Sequence, residues 1–506
     1  MADDEPEDNI VRLDRLREQR QSQLGELDDA ALKKLRDDSQ AALAALIDRF
    51  NEQYAVVNEG GKIWVFRWGF DPALNRKVLE RIKVSDFRLM FENEDLAVFA
   101  ENPRTKEGIT TTKSVAQWWL KHKRRRQYLG GVTFNPTGQA PPDYWNLWGG
   151  FGVEPRRGDW DLLRSHIENV LCSGVSEYAL YVLDWMARSV QFPNAPGEVA
   201  LVFRGTEGCG KGTLGRWYVA LFGQHGMQIN NPVQLVGRFN EHLRDLLALF
   251  GDEAFYAGDK HHEGVLKGLI TEPSLSIEGK GLRVVVVPNM LHVMLASNSE
   301  WVVPTSRDAR RYAVFDVPDT KVGNFAYFTA INRQMSEGGL AAMMHDLRER
   351  DISRFEVRRI PETEELAVQK LLSLDSLGKW WLAVLERGFV LRSRHGVAYF
   401  GQWHEVVSTE LLRRSYQQWC ADNRQTHPQS REQLGIRMTE MYRPTRPRKQ
   451  SVIGEIEVRP PMAGDASLVV KADHVPGYEV GSLDEARARF ASTQKVVGNW
   501  GQKYDE

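Results

Sequence analysis

The residues with the most explicit chemistry form one run, Gly-Thr-Glu-Gly-Cys-Gly-Lys-Gly-Thr at 205–213, which follows the apolar VALVFR and precedes the helical LGRWYVALFG. A strand that feeds a glycine-rich loop opening a helix is a phosphate cradle. Gly205, Gly208 and Gly210 permit turns tight enough for successive N–H groups to converge, and the helix N-terminus adds positive potential. Lys211 is then placed to reach β- and γ-phosphates. Nucleotide contacts are expected from Gly205, Gly208, Cys209, Gly210, Lys211, Gly212, Thr213 and Leu214. Gly212 stands where a Ser or Thr ordinarily ligates magnesium, so that contact passes either to Thr213 or to water. A glycine turn with a surface lysine is the bland reading, and the strand-to-helix context argues against it.

Phosphate binding names no reaction until a metal carboxylate and a base accompany it. LLALFGDEAF reads as a buried strand ending in Asp252 and Glu253, adjacent acids that point in different directions. Asp252 suits the magnesium shell and Glu253 suits polarising an attacking water. A third apolar strand, MLHVMLASN, delivers Asn298, a residue type that can hold the lytic water or sense the γ-phosphate. VPTSRDARRYAVFDV follows, with Arg307, Arg310 and Arg311 ahead of another strand. An arginine that stabilises the transferring phosphoryl group contributes about a thousandfold or more, or about 4 kcal/mol. Because these arginines follow the sheet and do not line the loop, action across a subunit boundary is expected of them. Between the second and third strands, LITEPSLSIEGKGLRVVVVPN reads as a hairpin whose tip carries Lys280 and Arg283, cations suited to the phosphates of a nucleic-acid strand.

The elements that must position these groups alternate apolar strands with helical stretches from 197 to about 318, the pattern of a mostly parallel sheet covered by helices. Four regions are expected. Residues 1–50 form a helical arm, 51–195 an α+β accessory domain, 196–360 the P-loop domain and 361–506 a helical unit. The last contains TELLRRSYQQWCADN and EQLGIRMTEMY ahead of the basic RPTRPRKQ, which reads as a winged-helix-like DNA-binding domain. The helical SVAQWWLKHKRRRQYL carries Lys123, Arg124 and Arg125 beside Trp118 and Trp119. Together with Arg446 near the second helix pair, these cations form candidate backbone-binding patches, each set against the reading of a solvated face. His261 and His262 are read as loop residues and not metal ligands. Trp380 and Trp381 are read as core.

This set of motifs in this order resembles the superfamily-three helicases, and most closely the ATPase module of phage and plasmid primase-helicases. The residues that carry the resemblance are GTEGCGKGT, Asp252-Glu253, SIEGKG, the ASN at 296–298 and RDARRYAVF at 307–315. It covers 196–317 well, and YLGGVTFNPTG, YWNLWGGFGVEP and LLRRSYQQWCADN less specifically. The resemblance implies an α/β P-loop, AAA-like ATPase core that assembles into a hexameric ring and moves along single-stranded or forked DNA. Its cofactors would be ATP and Mg2+. It implies that Lys211 and Thr213 bind nucleotide, Asp252 and Glu253 handle metal and water, Asn298 is the sensor, Arg310 or Arg311 the finger and Lys280 the DNA contact. Gly212 departs from the family pattern. Nothing before 196 shows the acid and histidine arrangement of a fused primase, so a separate primase or polymerase is an expected partner. A small-molecule kinase, which also uses GKGT loops, and a non-catalytic DNA-binding scaffold are the competing readings.

Composition sets the outer bounds. The 506 residues are 42% apolar, enough for several cores, and 66 Lys and Arg against 68 Asp and Glu leave a formal charge of −2, so no global basic field points to a polyanion. The acidic opening MADDEPED is unlike a secretory leader, and no apolar run approaches the roughly 18 residues of a membrane span. Cys172, Cys209 and Cys420 lie far apart and offer neither a disulfide framework nor a thiolate zinc site. A cytoplasmic protein of a bacterial or infected host cell is the expectation.

Overall fold

The computed structural model describes residues 29–72, 76–101, 108–230, 240–253, 260–279, 284–303, 310–388, 390, 403, 405–425, 428–445 and 476–494. The first unit opens with helix α1 (Asp29–Gln53) and strands β1 (Tyr54–Glu59), β2 (Lys62–Asp71) and β3 (Arg76–Lys83). Helix α2 (Val84–Met90), the hairpin β4 (Asp95–Glu101) and β5 (Gly108–Ser114), helix α3 (Val115–Lys121) and short strands β6 (Gln127–Tyr128), β7 (Gly131–Thr133) and β8 (Tyr144–Asn146) complete it. A four-stranded sheet runs β3-β2-β1-β6. Side chains of β1 alternate between two cores, Tyr54 and Val56 on one face and Ala55 and Val57 on the other. The expected arm is not separate from this unit. Ile47 and Phe50 at the end of α1 sink into an aromatic core with Tyr54, Phe87 and Trp119.

The second unit begins with α4 (Asp161–His166), which runs into a π-helical turn at Ile167–Leu171, and with α5 (Ser176–Gln191). Then come β9 (Ala200–Gly205), α6 (Lys211–Ala220), β10 (Gly226–Ile229), β11 (Ala248–Asp252) and α7 (Lys260–Thr271). The hairpin β12 (Ser274–Ile277) and β13 (Val285–Pro288), strands β14 (His292–Ser297) and β15 (Tyr312–Val317), and helices α8 (Phe325–Gln334) and α9 (Leu340–Glu349) follow. Five strands form one parallel sheet in the order β10-β11-β14-β9-β15. Its strands are buried on both faces. Leu201, Phe203, Phe250 and Met294 meet α4, α5, α6 and α9 on one side, while Ala200, Val202, Leu249 and Val293 meet α7 on the other.

The expected boundaries move. Leu163, Ile167, Val182, Trp185 and Met186 of α4 and α5 share the core of the sheet, because an apolar helical stripe of that width is covered only by a sheet face. The last helices of the accessory domain expected over 51–195 therefore pack with the parallel-sheet unit. At the other end, α10 (Glu364–Leu372) buries Leu366 against the opposite face, and Gln369 Oε1 accepts the Val302 N–H at 2.9 Å. The third unit holds α11 (Ser376–Arg387), β16 (Val406–Ser408), α12 (Thr409–Asp422), α13 (Arg431–Met441), β17 (Arg443–Thr445), β18 (Gly477–Glu479) and α14 (Leu483–Gln494). Its three strands pair antiparallel as β16-β18-β17, and Trp380 and Trp381 lie in its core. No helix among the described residues is long and apolar enough to cross a membrane.

A buried ionic contact joins the first unit to the second. Glu59, 3% exposed at the end of β1, accepts from Arg81 Nε at 2.9 Å and from Arg244 Nη1 at 2.7 Å, the latter lying between β10 and β11. Removing one member of a buried ionic cluster costs about 3–5 kcal/mol because the remaining charges lose their partner. Glu59→Ala is expected to loosen the accessory sheet by about that order. Hydrogen exchange would rise in β1–β3 and around Arg244, and unchanged exchange there would show that the apolar contacts alone hold the units together.

Candidate nucleotide site

Strand register brings the chemistry together. Asp252 pairs with Ala296 and Ser297 with Arg204, so β9, β11 and β14 end level with one another at their carboxyl edge. Open parallel sheets bind ligands at that edge. A cavity of about 590 Å3 opens there, lined by Gly208, Gly210, Lys211, Gly212 and Thr213 of the loop, by Asp252 and Glu253, and by Asn298. Three segments singled out separately in the sequence therefore face one space.

The loop is shaped by its glycines and braced from behind. Gly210 is left-handed at φ 104°, and a Cβ there would lie 2.5 Å from the His166 ring and 2.8 Å from Phe328, so only glycine fits. His166 Nε2 contacts the Gly210 carbonyl at 3.3 Å and its Nδ1 contacts the Tyr327 hydroxyl at 3.1 Å. A carbonyl only accepts, so Nε2 carries the proton and Nδ1 accepts from the tyrosine. Burial, with nearby Lys321, lowers the His166 pKa to about 4 and keeps the ring neutral. Lys211 is buried, and its ammonium donates to the carbonyls of Gly205 and Thr206 at 2.7 and 2.8 Å. Cys209 and Leu214 are fully buried and support the loop from the core side.

The acids occupy distinct positions. Asp252 Oδ2 accepts from Gln228 Nε2 at 3.2 Å. Glu253 adopts φ 54°, a left-handed conformation that a non-glycine residue rarely holds, and such backbone strain concentrates at functional sites. Its carboxylate accepts from the Ser297 hydroxyl and from the Asn298 N–H, both at 3.2 Å. The end of β14 thus orients the Glu253 carboxylate directly. The lining holds two cations, Lys211 and Arg216, against three carboxylates, Glu207, Asp252 and Glu253. A polyphosphate entering a site with that excess of acid needs a divalent cation with it. The donor set fits Mg2+, since Thr213 and Asp252 supply hard oxygens and the ion commonly takes its other ligands from phosphates and water. Among the described residues there is no cluster of three or more His, Cys, Asp or Glu that would hold a metal without such a ligand.

Other expected site residues lie elsewhere. Arg310 and Arg311 precede β15, whose Tyr312 pairs with Ala200 at the start of β9, so they sit at the edge of the sheet opposite the phosphate loop. Arg311 Nε donates to Thr271 Oγ1 at 3.3 Å, whereas Arg310 is exposed. The expected long helix over 114–129 stops at Lys121. Beyond it Arg124 pairs with Asp48 at 3.3 Å, Arg125 donates to the Leu120 carbonyl, and the Arg126 guanidinium lies 5.2 Å over Trp145. These arginines tie β6 to α1 and to the accessory core, while Lys123 is exposed. His261 and His262 belong to helix α7 and not to a loop. Lys280, Arg283, Arg307 and Arg446 lie outside the described residues.

Sequence reasoning missed His166, Ser297, Arg216, Phe328 and Asn332. The last two come from α8, over 100 residues beyond the loop, and line the cavity, with Asn332 Oδ1 accepting from Trp217 Nε1 at 3.0 Å. Only Arg216 and Ser297, close to motif residues, carried any local signal.

A model of a family of unknown function, DUF5906, matches residues 203–311, the segment from the phosphate loop to the arginines. No curated protein matches the sequence. Among solved structures, the apo C-terminal region (305–718) of NrS-1 superposes with a TM-score of 0.55 at 17% identity, covering 82% of this chain and 96% of that one. Its A form gives 0.52 at 16% identity over the same shares. At such identity the likeness is one of fold. The JCV helicase matches 42% of this chain and 61% of its own at a TM-score of 0.25, too loose to carry an argument.

Two buried histidines give the core a pH dependence of defined sign. Burial lowers His166 to about 4 and His292 to about 3, both below the ordinary value near 6.5. The unfolded chain takes up these protons first, so stability is full above about pH 6.5 and declines as the pH falls toward 4. His166 contributes up to about 3 kcal/mol to that decline. His166→Gln is expected to show a shallower loss of melting temperature between pH 7 and pH 5 than the parent protein, and parallel slopes would assign the effect to other groups.

Proposed function

We propose that this chain is an ATP-dependent DNA helicase or translocase of the superfamily-three type, serving the replication of a phage, plasmid or other mobile element. The observation that carries this reading is the shared cavity in which Lys211, Asp252, Glu253 and Asn298 meet at the carboxyl edge of one parallel sheet. A kinase would use the carboxylate held by Ser297 and Asn298 on a substrate hydroxyl, and on the present reading its acceptor is water.

In the hydrolytic step, Glu253 takes a proton from water as the water oxygen bonds to the terminal phosphorus and the bond to the diphosphate breaks. Ser297 and the Asn298 N–H hold the base in position, and the Asn298 side chain faces the same space. The loop and Lys211 bind the phosphates. Mg2+, held by Thr213 and Asp252, supplies charge neutralisation of the triphosphate when bound. Arg310, exposed at the far edge of the sheet, reaches a nucleotide only on a neighbouring copy, which favours a ring, a hexamer on this reading. The order helix–strand–helix–helix–strand–strand from α11 to β18 supports a winged-helix reading of the third unit. Single-stranded or forked DNA is the proposed track, with Lys280, Arg283, Lys123 and Arg446 as contacts. The cytoplasm is the proposed compartment, and a separate primase or polymerase the proposed partner.

Lys211→Ala is expected to abolish hydrolysis. Glu253→Gln is expected to keep nucleotide binding while losing about a hundredfold or more in turnover, the usual share of a general base. Adding Lys211→Ala protein to wild type should depress DNA-stimulated phosphate release more than in proportion. A proportional loss would remove the shared-site ring, and a turnover rate indifferent to single-stranded DNA would remove the translocase.

A further inference from the structure

The glycine at 212 is the one departure of the phosphate loop from the usual pattern, and the structure gives it a physical reason. Gly212 and Arg216 are separated by four residues on α6, which places them on the same face one turn apart. Long helical side chains lie back toward the N-terminus, so Arg216 extends over residue 212 toward the end of the helix that faces the cavity. A Cβ at Gly212 would lie 3.2 Å from Arg216 Nη1 and 3.5 Å from Asp252 Oδ2. The missing side chain thus opens the space that the guanidinium and the carboxylate flank. Arg216 lines the cavity, and its side chain is exposed there instead of being spent on the core.

We propose that Arg216 is a phosphate-contacting residue of this site, occupying the room that Gly212 leaves, and that it recognises the terminal phosphate of a nucleoside triphosphate. This rests on the nucleotide reading of the cavity and deepens it. The assignment to the terminal phosphate follows from position: Arg216 and Asp252 flank the space over Gly212, in the cavity that Glu253 also lines, where hydrolysis would occur. A guanidinium suits the role because its planar fork donates two parallel hydrogen bonds to phosphate oxygens and it stays charged at every working pH. A hydroxyl at 212 would displace it, so the hydroxyl and the arginine are alternatives at this place.

The test is binding of fluorescent ATP and ADP analogues with Mg2+ to the full chain, measured alongside hydrolysis. Arg216→Gln is expected to weaken the triphosphate by about tenfold or more, as for loss of a charge-assisted bond, and the diphosphate by less than about threefold. Arg216→Lys should recover part of the difference. Gly212→Ser should reproduce the triphosphate defect and add little in the Arg216→Gln background, the non-additivity of two changes acting on one group. Equal losses for both nucleotides, or none, would overturn the assignment to Arg216, and additive losses would overturn the link to Gly212. A wild-type chain that binds the triphosphate with Arg216-dependent preference yet never hydrolyses it would sink the proposed ATPase while leaving the contact intact.

Discussion

Level strand ends are the constraint on which the rest depends. Phosphoryl chemistry needs a cradle, a metal carboxylate, a base and a sensor held in fixed mutual positions, and these come from segments far apart in the chain. Parallel pairing of β11 with β14 and of β14 with β9 sets Asp252 beside Ala296 and Ser297 beside Arg204. A slip of one residue would exchange the side chains of the two buried faces, so the register rests on how each set fits the helices on its own side. The geometry of the candidate site is in this sense a by-product of packing Leu201, Phe250 and Met294 on one side and Val202, Leu249 and Val293 on the other.

Behind the cradle, the chain commits distant pieces to immobilise one loop. His166 arrives from α4 and Tyr327 and Phe328 from α8, and all three crowd Gly210. The ring of His166 satisfies a loop carbonyl with one nitrogen and is oriented through the other. A loop with φ at 104° is unfavourable for any residue but glycine, and the wall of side chains behind it leaves no room for one. The helices before and after the sheet thus shape the candidate site as well as the core.

The accessory unit is attached by chemistry of a different kind. Glu59 shares its carboxylate between Arg81 of its own sheet and Arg244 of the parallel-sheet unit. The segment between the accessory sheet and α4 adds a second attachment. Trp148 stacks on His225 with ring centroids 4.8 Å apart, and the Gly149 N–H donates to His225 Nε2 at 3.0 Å. His225 follows α6, so the same helix that starts at the phosphate loop ends against the accessory unit. The arginines at 124–126 all contact the accessory unit, while Arg124 and Arg126 stay exposed.

What the sequence alone determined was whatever depends on neighbours along the chain. Gly205–Thr213 between a strand and a helix, Asp252 and Glu253 at the end of an apolar run, and Asn298 after the next are local patterns, and all of them meet in the cavity. The tertiary structure decided what depends on packing. Boundaries at 195 and 360 shifted because α5 and α10 bury apolar residues on the sheet, a fact no composition change announces. The helix expected through Leu129 ended at Lys121, and the arginines beyond it have partners on α1 and β6. His166, Phe328 and Asn332 carry no motif, since their roles exist only where α4 and α8 close over the loop. Arg216 lies between these cases. Its spacing from Gly212 is written in the chain, but the reason for the glycine appears only once Asp252 stands beside it.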